Sequence, residues 1–497
     1  MHIKSRHITP RILGVIFSLL LSACTAVGPD YQPPQQELPE QWQATDTNVT
    51  PTAGLPGGNW WAMFHDPLLD ALVTEATAAN QGLRQAEAKI RAARAQRIIA
   101  AANGSLDAAA GGSTARRSDN TSSAGGTQDL FQLGFDAGWE LDIFGGIQRA
   151  GESAEASLAA SHEEMRDVLV SLQAEIARNY MDLRGSQKRL ATTRHNITVQ
   201  EKTVALVQGR FQMGLGNELD LMNAKTQLSL TKAALPTLEK SSKQAMHQLA
   251  ILVGQAPAAL IGRLTGDGPG LTIPQQIPIN LPSDVLRQRP DIRAAERRLA
   301  AATADIGVAT ADLFPKFSLA GLLGLQSKSL SDLISSGSRY WSIGPTVSLA
   351  LFDRGKVRAV IEVKNALRDQ ALAEYEGAVL NALGEVETAL VTLFQEQETL
   401  RILEEAVISG DKAVSIANGL YQSGLSDFLN VLQSERALYQ SQDQLAQSEQ
   451  RLTQAFVALF KALGGGWQTE EKNTNTPPAG QSTDPDKQNT PPEIKPT

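Results

Sequence analysis

Residues 131–143 have the sequence FQLGFDAGWELDI, in which apolar side chains occupy every odd position while polar, acidic or glycine residues occupy every even one. Residues 341–351 have the sequence WSIGPTVSLAL and alternate in a similar way. A period of two over 11 to 13 residues is what a tilted strand needs to cross a bilayer with one face toward lipid. The two segments therefore predict membrane-crossing β-strands.

Each of these segments follows a shorter candidate partner, which predicts two hairpins. The expected strands lie at about 105–111, 131–144, 316–326 and 340–352. Pro345 lies in the last strand and cannot donate a ladder hydrogen bond, so we predict a bulge there. Four strands cannot close a barrel, and an open edge in lipid leaves backbone groups unpaired. The chain must therefore assemble with copies of itself, and barrels with even strand numbers from eight upward leave two, three or four copies open.

Long helices flank both predicted hairpins. No proline occurs between residues 68 and 235 or between residues 346 and 476, and these tracts carry apolar residues at spacings of three and four. Residues 147–212 and 355–422 are each expected to form a helix of about 100 Å, at roughly 1.5 Å per residue. A coiled-coil scaffold explains the helical pattern equally well. The alternating strands favour a channel instead.

The chain also repeats itself. Residues 211–215 (FQMGL) match residues 421–425 (YQSGL) at an offset of 210, and the match continues through the following helices. A period this long indicates an internal duplication rather than a solenoid. We therefore divide the chain into repeat 1 at 61–280 and repeat 2 at 281–467.

The first 23 residues are predicted to be a lipoprotein signal peptide. Lys4, Arg6 and Arg11 precede an apolar stretch that is too short to span a bilayer, and this stretch ends at the single cysteine, Cys24. The ending LSAC resembles a bacterial lipobox. We therefore expect a diacylglycerol and an N-acyl chain on Cys24, with residues 24–60 as a lipid-anchored extended segment. A free or buried cysteine is the alternative.

Composition argues against several other functions. The formal charge of −8 disfavours nucleic acid as a partner. The six histidines are scattered singly, without the spacing of metal ligands, so neither a metal nor another cofactor is expected. No phosphate-binding loop or activated nucleophile motif is present, so we expect no enzymatic activity. No segment after residue 23 approaches 18 consecutive apolar residues, which predicts no membrane-spanning helix. The polar, proline-rich residues 468–497 predict a disordered tail.

Short motifs occur in a fixed order along the chain: VGPDY at 27–31, Trp60-Trp61, RPDI at 289–292, Phe314-Pro315 and Leu463-Gly464. Together they resemble the outer-membrane factor family of tripartite efflux systems, the TolC-like proteins, in its NodT-type lipoprotein branch. The resemblance covers nearly the whole mature chain. It implies a mostly α fold with a small β part, in which a trimer forms a transmembrane β-barrel continued by a long antiparallel helical coiled-coil tunnel.

The resemblance assigns roles to the helix ends. The turns at the two predicted tips resemble the surface on which a periplasmic adaptor protein docks, and their residues are Arg210, Gly214, Leu215, Gly424 and Leu425. Glycine suits a tight turn between antiparallel helices because it adopts a positive φ. Leu420 stands where Arg210 does in the first repeat, so a role for this arginine is expected in one hairpin only.

Two further groups of residues are candidates for the channel itself. The family's periplasmic constriction matches Ile408 and Asp411, although an ordinary solvated charge on a helix explains Asp411 equally well. Asp136, Glu140 and Asp142 lie on the acidic face of the strand at 131–144, where they would line the barrel lumen and favour cations.

The sequence thus predicts a lipid-anchored outer-membrane channel subunit of a tripartite exporter in a Gram-negative bacterium, with a large periplasmic part. It would passively conduct small molecules, such as drugs or toxic compounds, from an inner-membrane pump and a periplasmic adaptor to the exterior. The outer-membrane component of a type I protein secretion system is one alternative, and a structural outer-membrane lipoprotein is another. The substrate and the class of pump are left open.

Replacing Cys24 by alanine tests the lipid anchor. The variant should incorporate no radiolabelled palmitate and should retain its signal peptide, because the thiol is the acceptor of the acyl groups. Metabolic labelling and mass spectrometry of the intact protein measure both effects. Label on Cys24→Ala protein, or its absence from the wild type, would contradict the assignment.

Overall fold

The computed structural model describes most of the chain, namely residues 26–43, 58–119, 126–266, 270, 272–274 and 282–467. The predicted signal peptide, Cys24 and the predicted tail at 468–497 lie outside the described residues.

Repeat 1 begins with a short 3-10 helix at Trp60–Phe64, which is followed by helices and a hairpin of strands. In chain order they are α1 (Pro67–Ala79), α2 (Gln81–Ala102), β1 (Asp107–Asp119), β2 (Gly126–Leu141), α3 (Gly146–Gln212) and α4 (Glu218–Leu252). Some helices are directly preceded by a residue whose side chain accepts backbone N–H groups. Asp66 caps α1, Asn80 caps α2 and Asn217 caps α4.

Repeat 2 follows the same plan after two short helices, α5 (Ile261–Leu264) and α6 (Pro282–Gln288). Its elements are α7 (Pro290–Ala311), β3 (Lys316–Ser327), a 3-10 turn at Ser336–Ser338, β4 (Arg339–Ser348), α8 (Lys356–Gln422) and α9 (Phe428–Ala462). The long helices α3 and α8 contain 67 residues each and span about 100 Å at roughly 1.5 Å per residue. The two predicted long helices are therefore confirmed to within one residue at their starts.

The helices lie side by side in one layer. On the side of the tips the order is α4, α3, α9, α8, and on the side of the sheet it is α2, α3, α7, α8. The main apolar core lies around the midpoints of α3 and α8, where the shorter helices end. Trp60 stacks on Phe460 there, with 4.9 Å between ring centroids. The two long helices thus run from the sheet to the tips through the main core.

The four strands form one antiparallel sheet in the order β1-β2-β3-β4. The prediction that β1 ends at residue 111 is wrong, because residues 112–119 pair with 126–133 as a continuation of the ladder. Arg116 and Asp129 form a two-pronged ion pair in this extension, with nitrogen–oxygen distances of 2.7 and 2.9 Å. Both faces of the extension are polar, so it lacks the apolar alternation that reveals a membrane-crossing strand.

The other strand ends also differ from the prediction. β2 ends at Leu141 and β4 at Ser348, three and four residues earlier than expected. The predicted bulge at Pro345 is absent, because β3 and β4 pair in continuous register with Pro345 opposite Leu319. β4 is the outer strand of the sheet, and an outer strand tolerates a residue without an N–H group.

The described N-terminal residues are clamped to the junction between sheet and helices. Val27 donates its N–H to the carbonyl oxygen of Phe144 at 3.0 Å, and the buried guanidinium of Arg149 donates to Val27 O and to Asp30 at 3.1 and 2.6 Å. Gly145 begins α3 with a φ of 74°, and a Cβ atom there would lie 2.4 Å from Ala26 Cβ. The strap formed by residues 26–31 therefore needs glycine at position 145.

The two repeats provide a matched test of this clamp. Gly355 begins α8 with a φ of 80° but has open space around it, so Gly355→Ala should cost only the roughly 1–2 kcal/mol of a left-handed backbone. Gly145→Ala adds a steric clash with Ala26 to the same backbone cost. We expect its Tm in detergent to fall several degrees further and its N-terminal strap to become sensitive to protease. Equal losses in the two variants would contradict the clamp.

Candidate functional site

One face of the sheet is apolar and exposed. Its large side chains are between 42% and 74% exposed, and they are Leu133, Phe135, Trp139, Leu323, Trp341, Ile343 and Val347. The strand register places all of them on the same side. An apolar sheet face that remains exposed in this way is suited to contact with lipid.

The opposite face is polar and carries two of the three predicted lumen residues. Glu140 pairs across the sheet with Ser318 and then Thr346, while Asp136 pairs with Leu322. The backbones of β2 and β3 approach closely on this face, where a Cβ on Gly324 would lie 2.6 Å from the carbonyl oxygen of Leu133. Sequence reasoning missed this close approach, although glycine within a strand is its usual signal.

Asp142, the third predicted lumen residue, lies just beyond the end of β2 and has a different role. Its carboxylate accepts the N–H of Gln148 at 2.7 Å and so caps the first turn of α3. Asp353 does the same for α8, accepting from Gly355 and Val357 at 2.9 and 2.8 Å. These two N–H groups hold the pKa of Asp353 below its ordinary value. Asp142 thus belongs to the acidic pattern of the strand in sequence, but in the structure it caps a helix.

A cavity of about 310 Å³ lies at this junction of sheet and helices. Glu140, Asp142, Asp312 and Lys316 contribute its charged groups, and Lys316 donates to Asp312 at 2.9 Å. Acidic side chains outnumber basic ones, so this end of the polar face has a negative potential that favours cations.

The two tips have the same turn. Gly214 and Gly424 adopt φ values of 72° and 75°, and the N–H of Leu215 donates to Arg210 O as that of Leu425 does to Leu420 O, both at 2.8 Å. This six-residue bond is the Schellman arrangement that ends a helix at a left-handed glycine. Leu215 and Leu425 project from the turns, 63% and 76% exposed. Two similar apolar knobs therefore stand at one end of the molecule.

Arg210 lies in the first tip and contacts the second one. Its guanidinium lies 4.7 Å from the centroid of the Tyr421 ring, and it donates to the carbonyl oxygen of Gln422 at 3.3 Å. The expectation that its role is confined to the first hairpin is therefore wrong. Tyr421 also packs with Phe428 and Val431 in a small apolar cluster just above the turns.

The two predicted constriction residues are exposed on α8. Ile408 is 58% exposed, and Asp411 is also exposed. Gly410 faces α9, because a Cβ atom there would lie 3.3 Å from Leu438 Cδ1. At about 100° per residue, Ile408 then points away from α9 and Asp411 to one side. Within one chain, Ile408 and Asp411 lie on α8 before its tip and are not part of the turns. Among the residues that the structure describes, no cluster of His, Cys, Asp and Glu is suited to a metal ion.

Comparison with known proteins places this architecture in a family. The profile of the family described as outer membrane efflux protein matches residues 72–255 and 281–465, one match in each repeat. The chain is 34% identical to outer membrane protein OprJ of Pseudomonas aeruginosa, over 92% of this chain and 96% of OprJ. It is 30% identical to nodulation protein T of Rhizobium leguminosarum, over 94% and 99% of the two chains.

The solved structure of the outer-membrane channel OprN has the same fold, with a TM-score of 0.85 and 38% identity over 89% of this chain and all of that one. These similarities agree with the exposed apolar sheet face and the duplicated helical layer. The chain therefore belongs to the outer membrane efflux protein family, as its sequence motifs predicted, and is an efflux component of the outer membrane of a Gram-negative bacterium.

Proposed function

We propose that three copies of this chain form one closed channel, a barrel in the outer membrane continued by a helical tunnel. The channel passively conducts small molecules that an inner-membrane pump and a periplasmic adaptor deliver, and the chain carries out no reaction of its own. The observation that carries the proposal is that the two helices at the ends of the layer, α4 and α8, each lack within one chain a neighbour that the equivalent helix of the other repeat has.

Repeat symmetry supports a further copy of the chain as the neighbour at these ends. Within the chain, α3 of repeat 1 packs against α9 of repeat 2. The equivalent pair consists of α8 of repeat 2 and α4 of repeat 1, yet these two helices lie at opposite ends of the row. The missing contact forms if α8 of one copy packs against α4 of the next. Each copy then extends the row until it closes into a ring.

The side chains on the two end helices support this assembly. Large apolar residues of α8 are between 40% and 69% exposed. In the half near the tips, where α4 is the other end of the row, they are Val391, Ile402 and Ile416. In the half near the sheet, where α2 is the other end of the row, they are Val360, Val363, Leu367 and Leu380. On α4, Leu219, Met222 and Leu230 are similarly exposed. By length and composition, α8 is the one helix in the described residues that could cross a membrane, contrary to the sequence expectation of none. Its apolar character is explained by contact with a neighbouring copy.

The sheet supports the same arrangement. β1 and β4 are its two edges, and in lipid their outward N–H and C=O groups need partners. Pairing β4 of one copy with β1 of the next follows the same direction around the ring as α8 packing on α4. Three copies of the four-stranded sheet give a barrel of twelve strands. Three is the number of copies that the resemblance implies. Acyl chains on Cys24 would hold the strap at the base of this barrel.

Leu380→Asp tests the assembly, with Leu380→Met as the matched control. Leu380 is 69% exposed in one chain, so an aspartate there costs little unless a neighbouring copy covers it. We expect Leu380→Asp protein to migrate as a monomer on native gels and to conduct no ions in planar bilayers, while Leu380→Met behaves as the wild type. A trimeric, conducting Leu380→Asp protein would place the interface elsewhere.

The tips and constriction take their proposed roles from this ring. Leu215 and Leu425 of each copy would form a repeating apolar rim on which adaptor hairpins dock. Ile408 and Asp411 would face the axis, where three copies of Asp411 meet and narrow the entrance.

Asp411→Ala should therefore raise single-channel conductance and weaken block by divalent cations, because it removes a ring of carboxylates. Planar-bilayer recording measures both effects. Glu376→Ala removes an exposed carboxylate from the sheet half of the same helix and should change neither. A conductance of Asp411→Ala no larger than that of the wild type, with cation block intact, would assign Asp411 to an ordinary solvated surface.

A further inference from the structure

The interface between the two helical hairpins, α3–α4 and α8–α9, contains a buried polar seam. It is formed by Gln200 and Thr203 of α3 and by Glu435, Tyr439 and Gln442 of α9, which run antiparallel. Thr203 lies nine residues before the end of α3, so the seam is about 14 Å from the turns at roughly 1.5 Å per residue. Arg210 makes a further link between the hairpins, at the tips themselves.

Glu435 is the most unusual member of the seam. It is 1% exposed, although the exposed Lys225 occupies the equivalent position of repeat 1. Its carboxyl group lies 3.0 Å from the hydroxyl of Thr203, which in turn lies 3.4 Å from the carbonyl oxygen of Val199. The hydroxyl has one proton and cannot donate to both oxygens. If Glu435 is protonated, it donates to Thr203, Thr203 donates to Val199, and both contacts are satisfied.

The rest of the seam is poorly satisfied. Both polar atoms of the Gln200 amide, the hydroxyl of Tyr439 and Oε1 of Gln442 are buried, and none has a hydrogen-bond partner in the part of the chain that the structure describes. An unpaired buried polar group costs about 1–3 kcal/mol. On the side of the seam away from the tips, by contrast, Arg189 and Asp443 form a bidentate ion pair, with nitrogen–oxygen distances of 2.7 and 3.0 Å. The seam therefore contributes less to the contact between α3 and α9 than a fully hydrogen-bonded interface would.

No charged side chain compensates Glu435 within the described residues. Thr203 faces it from α3, and Tyr439 from α9. The charged residues nearest to it along the packed helices point to the surface, and they are Glu201, Lys202, Asp411, Lys412 and Arg436. Burial raises the pKa of Glu435, and the Thr203 hydrogen bond opposes this only in part.

We propose that Glu435 is a proton-controlled latch between the two hairpins, which keeps α3 and α9 packed in its neutral form and releases them on ionisation. The consequence for the channel rests on the proposed function, because separation of the hairpins widens the periplasmic entrance. An ionised carboxylate in the seam would leave a buried charge without a cation, and water can reach it only if the helices move apart.

The direction of the pH effect follows from the burial. In the packed seam the acid binds its proton more tightly than in an open, hydrated seam, so the packed state is favoured at acidic pH. This advantage is lost as pH rises from the ordinary pKa of a glutamic acid toward the raised pKa of Glu435. Each unit between the two pKa values changes the ratio of open to packed hairpins tenfold.

The distance between the tips tests the latch independently of conduction. Spin labels on Leu215→Cys and Leu425→Cys report this distance by double electron–electron resonance from pH 4 to pH 8, and protein without the introduced cysteines reports any label on Cys24. We expect the wild type to shift toward longer distances as pH rises. Glu435→Gln, which mimics the neutral acid, should stay at the short distance throughout.

Two further variants complete the test. Glu376→Gln removes an exposed carboxylate and should keep the wild-type pH response. Thr203→Val removes the hydroxyl that stabilises the carboxylate and should move the transition to higher pH. The latch is refuted if the wild type shows no shift, or if Glu435→Gln or Thr203→Val follows the wild-type curve. Failure of the wild type to conduct in bilayers would contradict the proposed function, whereas the tip distances would still decide the latch.

Discussion

An unpaired N–H or C=O group in hydrocarbon costs several kcal/mol, and the four-stranded sheet of this chain ends on both sides in rows of such groups. The helical layer has the same property, since α8 and α4 expose apolar side chains at its two ends. A single copy therefore has a large uncompensated surface. The exposed apolar face of the sheet, the polar opposite face and the apolar long helix all become consistent once copies of the chain satisfy one another's edges.

The duplication explains how one chain supplies such edges. Each repeat contributes a hairpin of strands and a hairpin of helices, joined by a glycine in a left-handed conformation, Gly145 or Gly355. The repeats then differ where their surroundings differ. Gly145 is pressed against the N-terminal strap, whereas Gly355 has open space, and the buried Glu435 stands where repeat 1 has the exposed Lys225. Contacts inside the chain thus differ at equivalent positions of the two repeats.

The parts that could be predicted from the sequence have a strong periodic signal. The ends of α3 and α8 followed from proline-free tracts bounded by glycine, and the apolar face of β2 followed from alternation. The outer half of β1 could not be predicted, since both of its faces are polar and only pairing with β2 orders it. The same limit applies to the candidate sites. Alternation predicted that Asp136 and Glu140 lie opposite the apolar face, as they do in the sheet. The contact of Arg210 with Tyr421 depends on how the helical hairpins pack, which no local pattern encodes.

The central claim is that the edges of one chain are satisfied by further copies of the same chain. Native mass spectrometry of the mature protein, extracted from outer membranes in mild detergent, tests this most directly because it counts chains without assuming an interface. The account predicts a single dominant species with the mass of three lipidated chains. A stable monomer with its sheet intact would contradict it.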